Sequence, residues 1–317
     1  MFKPSAKVWM NNHLVPLEEA KVSVWAHGIH YGDNIFEGIK IYKCIDGRSA
    51  IFRLRPHVRR LFFSASAIGL KIPFSMIEIE QAIIDTIKEN NLVEGYIRPL
   101  IISGEGDIGP CPHNNVIHTV IGMGEWESYF NKETIRTKIS RWRRDHRVMP
   151  FYAKVAADYV NAKLAKMEAE ASGFDDAIVL DLHDYVIEMS AANIFVVKGS
   201  VLMTPSPDQA ILRGITRDSI IRLARDMGIK VKDEAMINKN LLYDSDEAFS
   251  SGTAAEVTPI KTVAEEDGEG DKYTDIEEMP IGKECPGPIT KKLRELFLKA
   301  AKGEVPEYAR EWLTYVD

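Results

Sequence analysis

Residues 124–132 interrupt the periodic apolar pattern of a chain that is too long for one ordinary hydrophobic core. The chain has 317 residues, whereas a single core rarely grows beyond about 250 to 300 residues. Short apolar runs alternate with helical patterns on both sides of the interruption. We therefore expect a small N-terminal α+β domain at 1–123, a linker at 124–133 and a larger C-terminal domain at 134–317.

Turn signals in the first part predict a mixture of hairpins and helices. Apolar runs flank Asn11-Asn12 and Asp46-Gly47, which predicts two hairpins. Helical spacing follows Pro56, and a second helix is predicted over 75–90. Strand-like runs at 96–103 and 116–123 complete this part.

The second part has the same mixed character. We predict a helix over 155–171, hairpins over 176–189 and 193–204, and later helices over 216–227 and 288–302. The overall class is therefore α+β. The acidic residues 263–279 do not match the order of an EF-hand and predict a solvated surface loop.

Composition excludes several classes of protein. The 40 basic and 47 acidic residues give a net charge of −7, which argues against a general nucleic-acid binder despite the basic run at 138–147. No apolar run reaches the ~18 residues of a membrane span, and the N-terminus lacks a signal-peptide core, so we expect a cytoplasmic protein. Neither the three cysteines nor the pair His27 and His30 has the spacing of a disulfide framework or a metal site.

Lys154 is the first candidate for chemistry, because it lies in an apolar, small-residue segment with no carboxylate before Asp158. Burial disfavours the ammonium, so such an amine can act as a nucleophile and base and can form a Schiff base with a carbonyl. The alternative is a lysine that reaches solvent from the start of a helix.

Glu188 is a carboxylate within a strand-like apolar run. An inward-facing carboxylate is costly unless a cation meets it, and a protonated pyridine nitrogen is one such cation. The alternative is a side chain that points to solvent on an alternating strand.

Several segments have the features of an anion site. Gly214, Ile215 and Thr216 stand at the start of a predicted helix, where free amides and a hydroxyl suit a phosphate. The ordinary alternative is that Thr216 is an N-cap without a ligand. The small residues 250–255 would leave backbone amides accessible to an anion, or would form a tight loop without a ligand. Arg60 is a further phosphate candidate, and the spacing does not exclude its neighbour Arg59.

Taken together, these segments resemble the fold-type IV pyridoxal-phosphate enzymes, and most closely the branched-chain amino acid aminotransferases. The resemblance extends from Lys7 to about Leu298. The matching stretches are Tyr31-Gly-Asp-Asn-Ile-Phe-Glu-Gly, Tyr96-Ile-Arg-Pro-Leu, Ala153-Lys154 with Tyr159, Glu188 through Asn193-Ile-Phe, Gly214-Ile-Thr-Arg-Asp, and Ser251-Gly-Thr-Ala-Ala-Glu-Val-Thr-Pro.

The resemblance implies a D-amino acid aminotransferase-like fold, with a small N-terminal α/β sandwich, a larger C-terminal β-barrel-like domain with flanking helices, and pyridoxal 5′-phosphate between them. It implies that Lys154 forms the Schiff base, that Glu188 meets the pyridine nitrogen and that Tyr159 donates to the cofactor's O3′. The implied phosphate ligands are Arg60, Ile215, Thr216 and Thr253. Substrate residues are implied at Tyr31, Phe36, Tyr96, Arg98, Trp126, Tyr129, Ala254 and Ala255.

The same resemblance implies transamination of leucine, isoleucine or valine with 2-oxoglutarate by a ping-pong mechanism. It also implies at least a homodimer, because in the family the loop around 108–112 reaches toward the neighbouring subunit. Met189-Ser-Ala-Ala-Asn193 and Arg213 depart from the common family pattern and leave the substrate range open. The alternatives are a D-amino acid aminotransferase, an aminodeoxychorismate lyase and an inactive cofactor-binding relative.

Overall fold

A computed structural model describes residues 2–126, 130–266 and 276–316. Within them the strands are, in chain order, β1 (Lys3–Pro4), β2 (Lys7–Met10), β3 (His13–Pro16), β4 (Asn34–Phe36), β5 (Ile39–Lys43), β6 (Ser49–Phe52), β7 (Gly95–Ser103), β8 (Ile117–Glu125), β9 (Ile135–Arg144), β10 (Asp176–Asp181), β11 (Tyr185–Met189), β12 (Asn193–Lys198), β13 (Val201–Pro205), β14 (Lys230–Ala235), β15 (Ile237–Asn238), β16 (Glu247–Gly252), β17 (Glu256–Glu266), β18 (Ile276–Pro280) and β19 (Leu313–Tyr315).

The α-helices of the described residues are α1 (His27–Tyr31), α2 (Leu54–Ala67), α3 (Met76–Asn90), α4 (Tyr159–Ala171), α5 (Ile215–Asp226), α6 (Lys239–Tyr243), α7 (Pro288–Ala301) and α8 (Pro306–Trp312). Two short 3-10 helices cover Leu17–Glu19 and Ala156–Asp158. No helix in these ranges is both long and apolar enough to cross a membrane.

The chain divides into two compact units, and each has its own sheet. The first unit contains Met1–Glu127, Ala153–Ala157 and Lys299–Asp317; the second contains Ser128–Tyr152 and Asp158–Leu298. This division differs from the predicted one, because the short segment around Lys154 and the C-terminal segment both pack with the N-terminal part. Both segments are separated from that part along the chain, so local sequence patterns carry no signal for this packing.

The first unit is built on an antiparallel sheet of nine strands among the described residues. The strand order is β19-β6-β5-β7-β8-β2-β3, with β1 paired to β8 and β4 paired to β7. Helices α2 and α3 bury their apolar sides in one cluster with the strands, which includes Val58, Leu61 and Ile83. Ser75 caps α3 in a reciprocal capping box with Glu78, which explains why this helix begins at Met76.

The second unit is built on a mixed sheet of ten strands in the described ranges. The order is β14-β13-β12-β16-β17-β9-β10-β11-β15, with β18 on β17 and a further β11–β12 pairing. Parallel pairs join β9 to β10 and to β17. Helix α4 packs beside β9 and β10, and the apolar sides of the strands form buried clusters around Ile178 and Val179.

The structure confirms most predicted elements. The hairpin at Asn11-Asn12 is β2 with β3, and the hairpin at Asp46-Gly47 is β5 with β6. The helix predicted from Val155 was wrong at its start: a 3-10 turn comes first and α4 begins only at Tyr159. Val155 instead bridges to Ile35, so a strand-like contact replaces the first helical turn.

The acidic segment 263–279 was also predicted incorrectly at its ends. Residues 263–266 belong to β17 and pair with β18, and Val263 is fully buried in the core. The buried side chains of Val263 and Ala264 and the ladder hydrogen bonds to β18 therefore outweigh the acidic composition there. Residues 267–275 lie outside the described residues.

Candidate active site

The backbone of Lys154 is held between helix α2 and strand β4 within the first unit. Its amide nitrogen donates to the Ser64 hydroxyl at 2.9 Å, and its carbonyl accepts from the Phe36 amide at 3.3 Å. The bridge between Val155 and Ile35 extends this contact by one residue. The predicted cofactor lysine is therefore fixed by its main chain on two regular elements.

The Lys154 amine lies over an aromatic ring in a buried setting. Its Nζ is 4.7 Å from the centre of the Phe36 ring. Burial, together with the positive charge of Arg60, lowers the pKa of Lys154 to about 8, while the Glu37 carboxylate opposes this change. The amine is thus partly neutral near neutral pH, as a nucleophile requires.

Arg60 joins this cluster and Arg59 does not. The Arg59 side chain is exposed, whereas the Arg60 Nε donates to Glu37 at 2.6 Å and its Nη2 donates to the same carboxylate at 2.9 Å. His57, one helical turn earlier on α2, meets Glu37 through Nδ1 at 2.8 Å. Of these two arginines, only Arg60 therefore lies in the buried cluster around Glu37.

Predicted substrate residues form an aromatic and cationic wall in the same unit. The Arg98 guanidinium lies 4.5 Å from the centre of the Phe36 ring and donates to the Tyr96 hydroxyl at 3.0 Å. The Tyr96 and Trp126 rings meet edge to face, with centres 5.0 Å apart. A Cβ at Gly38 would lie 2.0 Å from the Tyr96 hydroxyl, so any larger residue there would displace the Tyr96 ring.

The predicted residue Tyr31 makes its contacts with a different segment. It is half-exposed, its hydroxyl donates to the Ile108 carbonyl at 3.1 Å, and its ring stacks on His27. His27 also pairs with Asp33 through Nδ1 at 2.8 Å and reaches the Gly109 carbonyl through Nε2. Tyr129 lies outside the described residues.

Glu188 is the centre of a buried polar network in the second unit. It is 5% exposed, which excludes the alternative of a solvent-facing side chain. Its Oε1 accepts from the Asn193 side chain at 2.8 Å and from the Leu212 amide at 2.9 Å, and its Oε2 accepts from Arg144 at 2.7 Å. Strand pairing places Glu188 directly opposite Asn193. The charge and hydrogen bonds that a buried carboxylate needs are therefore present.

Helix α5 begins at Ile215, and the extended residue Gly214 is its N-cap. Among the described residues no side chain caps this helix start, so Thr216 lies inside the helix and is not its N-cap. Thr216 is 3% exposed. A Cβ at Gly214 would lie 1.9 Å from Asn193 Oδ1, which shows how closely this helix start approaches the Glu188 network. Uncapped amides at a helix N-terminus favour an anion.

Residues Thr253, Ala254 and Ala255 form the turn between β16 and β17. Ser250 and Ser251, which the sequence suggested as part of a loop, belong instead to β16. Both are fully buried, and their hydroxyls have no hydrogen-bond partner among the described residues. Buried hydroxyls without a partner are unfavourable, so this end of β16 is suited to receive a polar ligand.

Tyr159 is partly buried at the first position of α4. Its neighbour Asp158 is 7% exposed, and neither of its carboxylate oxygens has a hydrogen-bond partner within the described ranges. Burial raises the pKa of Asp158 to about 6, against the opposing charge of Arg144.

Comparison with known proteins identifies the family. The model of the class IV aminotransferases matches residues 34–263, which is most of the chain. The chain belongs to the class IV aminotransferase family. It is 37% identical over 98% of its length to the branched-chain-amino-acid aminotransferase of Pseudomonas aeruginosa PAO1, of which it covers 97%. It is 35% identical over 99% of its length to the enzyme of that name from Escherichia coli K12, again covering 99%.

Solved structures agree with this assignment. The T.th. branched-chain amino acid aminotransferase in complex with N-(5′-phosphopyridoxyl)-L-glutamate is 41% identical, with a TM-score of 0.88 and 99% of both chains covered. The enzyme from the archaeon Thermoproteus uzoniensis with norvaline is 36% identical, with a TM-score of 0.90, over 99% of this chain and 100% of that chain. This aminotransferase therefore has the fold-type IV architecture, and its cofactor is pyridoxal phosphate.

The residues of this class IV aminotransferase are chemically suited to that cofactor. The first unit provides an amine of lowered pKa and the Arg60 guanidinium. Taken by itself, the second unit contains a buried carboxylate and a helix start whose N-cap residue makes no side-chain cap. On β16 it also contains the buried hydroxyls of Ser250 and Ser251, which have no partner among the described residues and lie on opposite faces of the strand.

Sequence reasoning missed the supporting groups Glu37, His57 and Arg144. Glu37 is a carboxylate in an otherwise apolar run between two strands. That position was a signal that could have been used, because a carboxylate in such a run must either reach solvent or find a cation.

Proposed function

We propose that this aminotransferase transfers the amino group of L-leucine, L-isoleucine or L-valine to 2-oxoglutarate. Full-length identity of 35% to 41% to enzymes named for this activity supports the proposal. The observation that carries it is the Lys154 amine, held beside the Phe36 ring with Arg98 on the same ring.

We assign the cofactor ligands by their matching positions in the family. Lys154 would bond the cofactor covalently, Glu188 would meet the pyridine nitrogen, and Tyr159 would donate to O3′. The phosphate would be bound by Arg60, Ile215, Thr216 and Thr253. The buried Glu188 supports its assignment, because hydrogen bonds from Arg144 and Asn193 to its two oxygens fix the orientation of the carboxylate.

Pyridoxal phosphate, when bound, supplies an electron sink for the negative charge that develops at the substrate α-carbon. Lys154 would perform the proton transfer once the amino group of the incoming substrate has displaced it from the cofactor. Its freed, neutral amine would remove the substrate's α-proton and deliver that proton to C4′ of the cofactor, the carbon from which the lysine was displaced. A pKa of about 8 leaves a useful fraction of this amine neutral at pH 7 to 8. In the return half-reaction with the 2-oxo acid, Lys154 moves the proton in the opposite direction.

The substrate pocket must accept both an aliphatic side chain and the distal carboxylate of glutamate. Phe36, Trp126 and Tyr31 offer apolar surface for the first. Arg98, which donates to the Tyr96 hydroxyl, offers a cation for the second. Ala254 and Ala255 would bind the α-carboxylate through backbone amides, and Tyr129 would complete the lining.

We also propose that the protein is a homodimer at minimum and acts in the cytoplasm in branched-chain amino acid biosynthesis. Support for the dimer comes from a group of exposed apolar side chains in the first unit, which includes Val24, Trp25, Ile29 and Ile108. Apolar surface of this kind is typical of interfaces.

The activity can be tested by incubating the purified holoenzyme with 2-oxoglutarate and one amino acid at a time, and measuring L-glutamate. We expect turnover with L-leucine, L-isoleucine and L-valine, and much less with D-alanine. Glutamate from D-alanine without glutamate from L-leucine would reverse the assignment. Pyruvate release from aminodeoxychorismate without transamination would indicate a lyase.

The role of Lys154 is tested separately with Lys154→Ala. The variant should lose the visible absorption band of the lysine-bound cofactor together with all turnover. A matched variant, Lys163→Ala, changes an exposed lysine of α4 and should keep both. Full activity in Lys154→Ala would refute the central assignment.

A further inference from the structure

Glu37 is a fully buried carboxylate in the Lys154 cluster, and it belongs to neither the cofactor ligands nor the substrate residues assigned above. It is 0% exposed and follows strand β4. Its own amide donates to the Pro99 carbonyl at 2.9 Å, so its backbone is fixed. A carboxylate removed from water is retained only where cations or donors compensate it.

The compensation comes mainly from Arg60. Two parallel hydrogen bonds join them, Nε to Oε1 at 2.6 Å and Nη2 to Oε2 at 2.9 Å. The Gly38 amide and His57 Nδ1 also donate to Oε2. Burial would raise the pKa of Glu37, but the charge of Arg60 and the His57 hydrogen bond outweigh it and hold that pKa well below its usual range.

His57 is electrically neutral and donates a hydrogen bond to Glu37. Burial lowers its pKa, and its Nδ1 must carry the hydrogen because an ionised carboxylate only accepts. The charges of Glu37 and Arg60 therefore balance each other, and His57 adds orientation without adding charge.

One helix face connects this pair to Lys154. His57, Arg60 and Ser64 are spaced i, i+3 and i+7 on α2, so they share one side of the helix. The Ser64 hydroxyl accepts a hydrogen bond from the Lys154 amide. The residue before Glu37 donates its amide to the Lys154 carbonyl. Helix α2 and strand β4, with the residue that follows it, therefore hold all three groups: the Glu37 carboxylate, the Arg60 guanidinium and the Lys154 backbone.

We propose that Glu37 is a positioning residue, which holds the Arg60 guanidinium in the orientation that receives the cofactor phosphate and offsets the charge of Arg60 beside the Lys154 amine. This inference rests on the proposed function, where Arg60 is assigned to the phosphate. The bidentate contact fixes the plane of the guanidinium and directs its remaining N–H groups away from Glu37.

The second effect is electrostatic. The charged and titratable groups that interact electrostatically with the Lys154 amine are Arg60 and His57 on α2, together with Glu37, Tyr96 and Arg98. Arg60 lowers the pKa of Lys154 and Glu37 raises it. Removal of the Glu37 charge takes away the larger of the two charges that oppose Arg60, so the pKa of Lys154 falls further.

The first measurement uses Glu37→Gln in the full-length, cofactor-free protein, with the labelling of Lys154 by an amine reagent followed against pH by peptide mass spectrometry. We expect the midpoint of Lys154 labelling at lower pH than in the unsubstituted protein. Loss of structure would act in the opposite direction, because an exposed lysine has its ordinary value of 10.5. An unchanged or higher midpoint overturns the electrostatic part of the proposal.

The second measurement is cofactor retention by the Glu37→Gln holoenzyme. We expect the dissociation constant of pyridoxal phosphate to be roughly 10 to 100 times larger than in the unsubstituted protein. This is the range found at metal sites when a group that hydrogen-bonds to a metal ligand is removed. Pyridoxal, which lacks the phosphate, should lose much less affinity. Equal losses for the two compounds would show that Glu37 does not act through a phosphate ligand.

Two further variants isolate the effect. Glu247→Gln makes the same change at a carboxylate of the second unit that is 5% exposed and accepts hydrogen bonds from the amides of Ile289 and Thr290. In this variant neither the pH midpoint of Lys154 labelling nor the relative affinity for pyridoxal phosphate and pyridoxal should change. The double variant Glu37→Gln/Arg60→Gln should retain the cofactor no worse than Arg60→Gln alone, because a residue that acts through Arg60 has no effect without it. Additive losses overturn the proposal.

These readouts are independent of the amino acid substrate. If the predicted shifts occur in a protein that does not transaminate leucine, the positioning role stands and the proposed substrate fails. If the protein transaminates leucine but Glu37→Gln leaves both labelling and cofactor retention unchanged, the proposed function stands and the positioning role fails.

Discussion

The buried amine of Lys154 should reduce the stability of the cofactor-free protein in a pH-dependent way. Its pKa is lowered to about 8 in the folded chain from an ordinary 10.5. The unfolded chain therefore binds the proton more tightly, and this cost to folding is fully present below pH 8 and disappears as pH rises to about 10.5. We expect Lys154→Met to raise the free energy of unfolding near pH 7, by up to about 3 kcal/mol, with a gain that shrinks through this window.

Denaturant unfolding of the cofactor-free protein between pH 7 and pH 10.5 measures this effect. Lys163→Met, at an exposed position of α4, controls for the general consequence of the substitution and should show no such trend. A gain for Lys154→Met that is constant with pH would contradict the lowered pKa. In the holoenzyme the same variant should be less stable, since it loses the stabilisation that a bound cofactor gives.

At this scale the sequence singled out residues that could carry charge into the interior, but it showed neither whether they are buried nor how their charge is compensated. The apolar runs around Lys154 and Glu188 left open whether each side chain points inward or reaches solvent, and the structure has the inward alternative, with a lowered pKa for Lys154 and a buried Glu188 carboxylate. Arg144, which pairs with Glu188, is on another strand, and Glu37 pairs with a residue of α2. Contacts between distant segments leave no local periodicity in the sequence.

The start of helix α5 should not tolerate a side chain at Gly214. A Cβ there would lie 1.9 Å from Asn193 Oδ1, and Asn193 donates to Glu188. We expect Gly214→Ala to cost about 1 to 3 kcal/mol of stability, as overpacking generally does, and to weaken cofactor retention because Glu188 is displaced. Chemical unfolding and equilibrium dialysis of the cofactor measure the two effects.

Gly122→Ala is the matched control for this substitution. Gly122 lies on strand β8, and a Cβ there has no heavy atom within 4 Å among the described residues. This variant should keep its cofactor and lose little stability. A Gly214→Ala protein that behaved in the same way would show that the close approach to Asn193 does not matter.

Helices and strands could be predicted from the sequence where neighbouring residues themselves form the turn or the helix cap. Asn11 and Asn12 adopt positive φ angles between β2 and β3, as side-chain amides at a tight turn favour. Ser75 and Glu78 give α3 its capping box. Helix α4 was predicted too early because the small residues before Tyr159 continue the helical spacing, whereas Val155 is drawn into a bridge with Ile35. Tertiary pairing there outweighed local propensity.

On the scale of the whole molecule, the first unit is assembled from three separate stretches of chain. Strand β19, at the C-terminus, pairs with β6, and the Trp312 carbonyl accepts from the Arg53 amide just before α2. Trp312 is 2% exposed, and its ring meets the Phe52 ring at 5.7 Å. The division by sequence placed this segment in the C-terminal domain, since no pattern within it specifies its distant partners.

Trp312→Ala should therefore destabilise the first unit selectively. Removal of a buried tryptophan generally costs about 3 to 5 kcal/mol, and the lost contacts are with β6 and α8 of that unit. Hydrogen exchange followed by mass spectrometry should show faster exchange in peptides from β5 and β6 and unchanged protection in peptides from β12 and β13, which belong to the other sheet. Ile77→Ala, at a side chain of α3 that is 70% exposed, should leave both sheets protected. Equal loss of protection in the two sheets would mean that the C-terminal segment does not stabilise the first unit alone, and that the two units unfold as one cooperative structure.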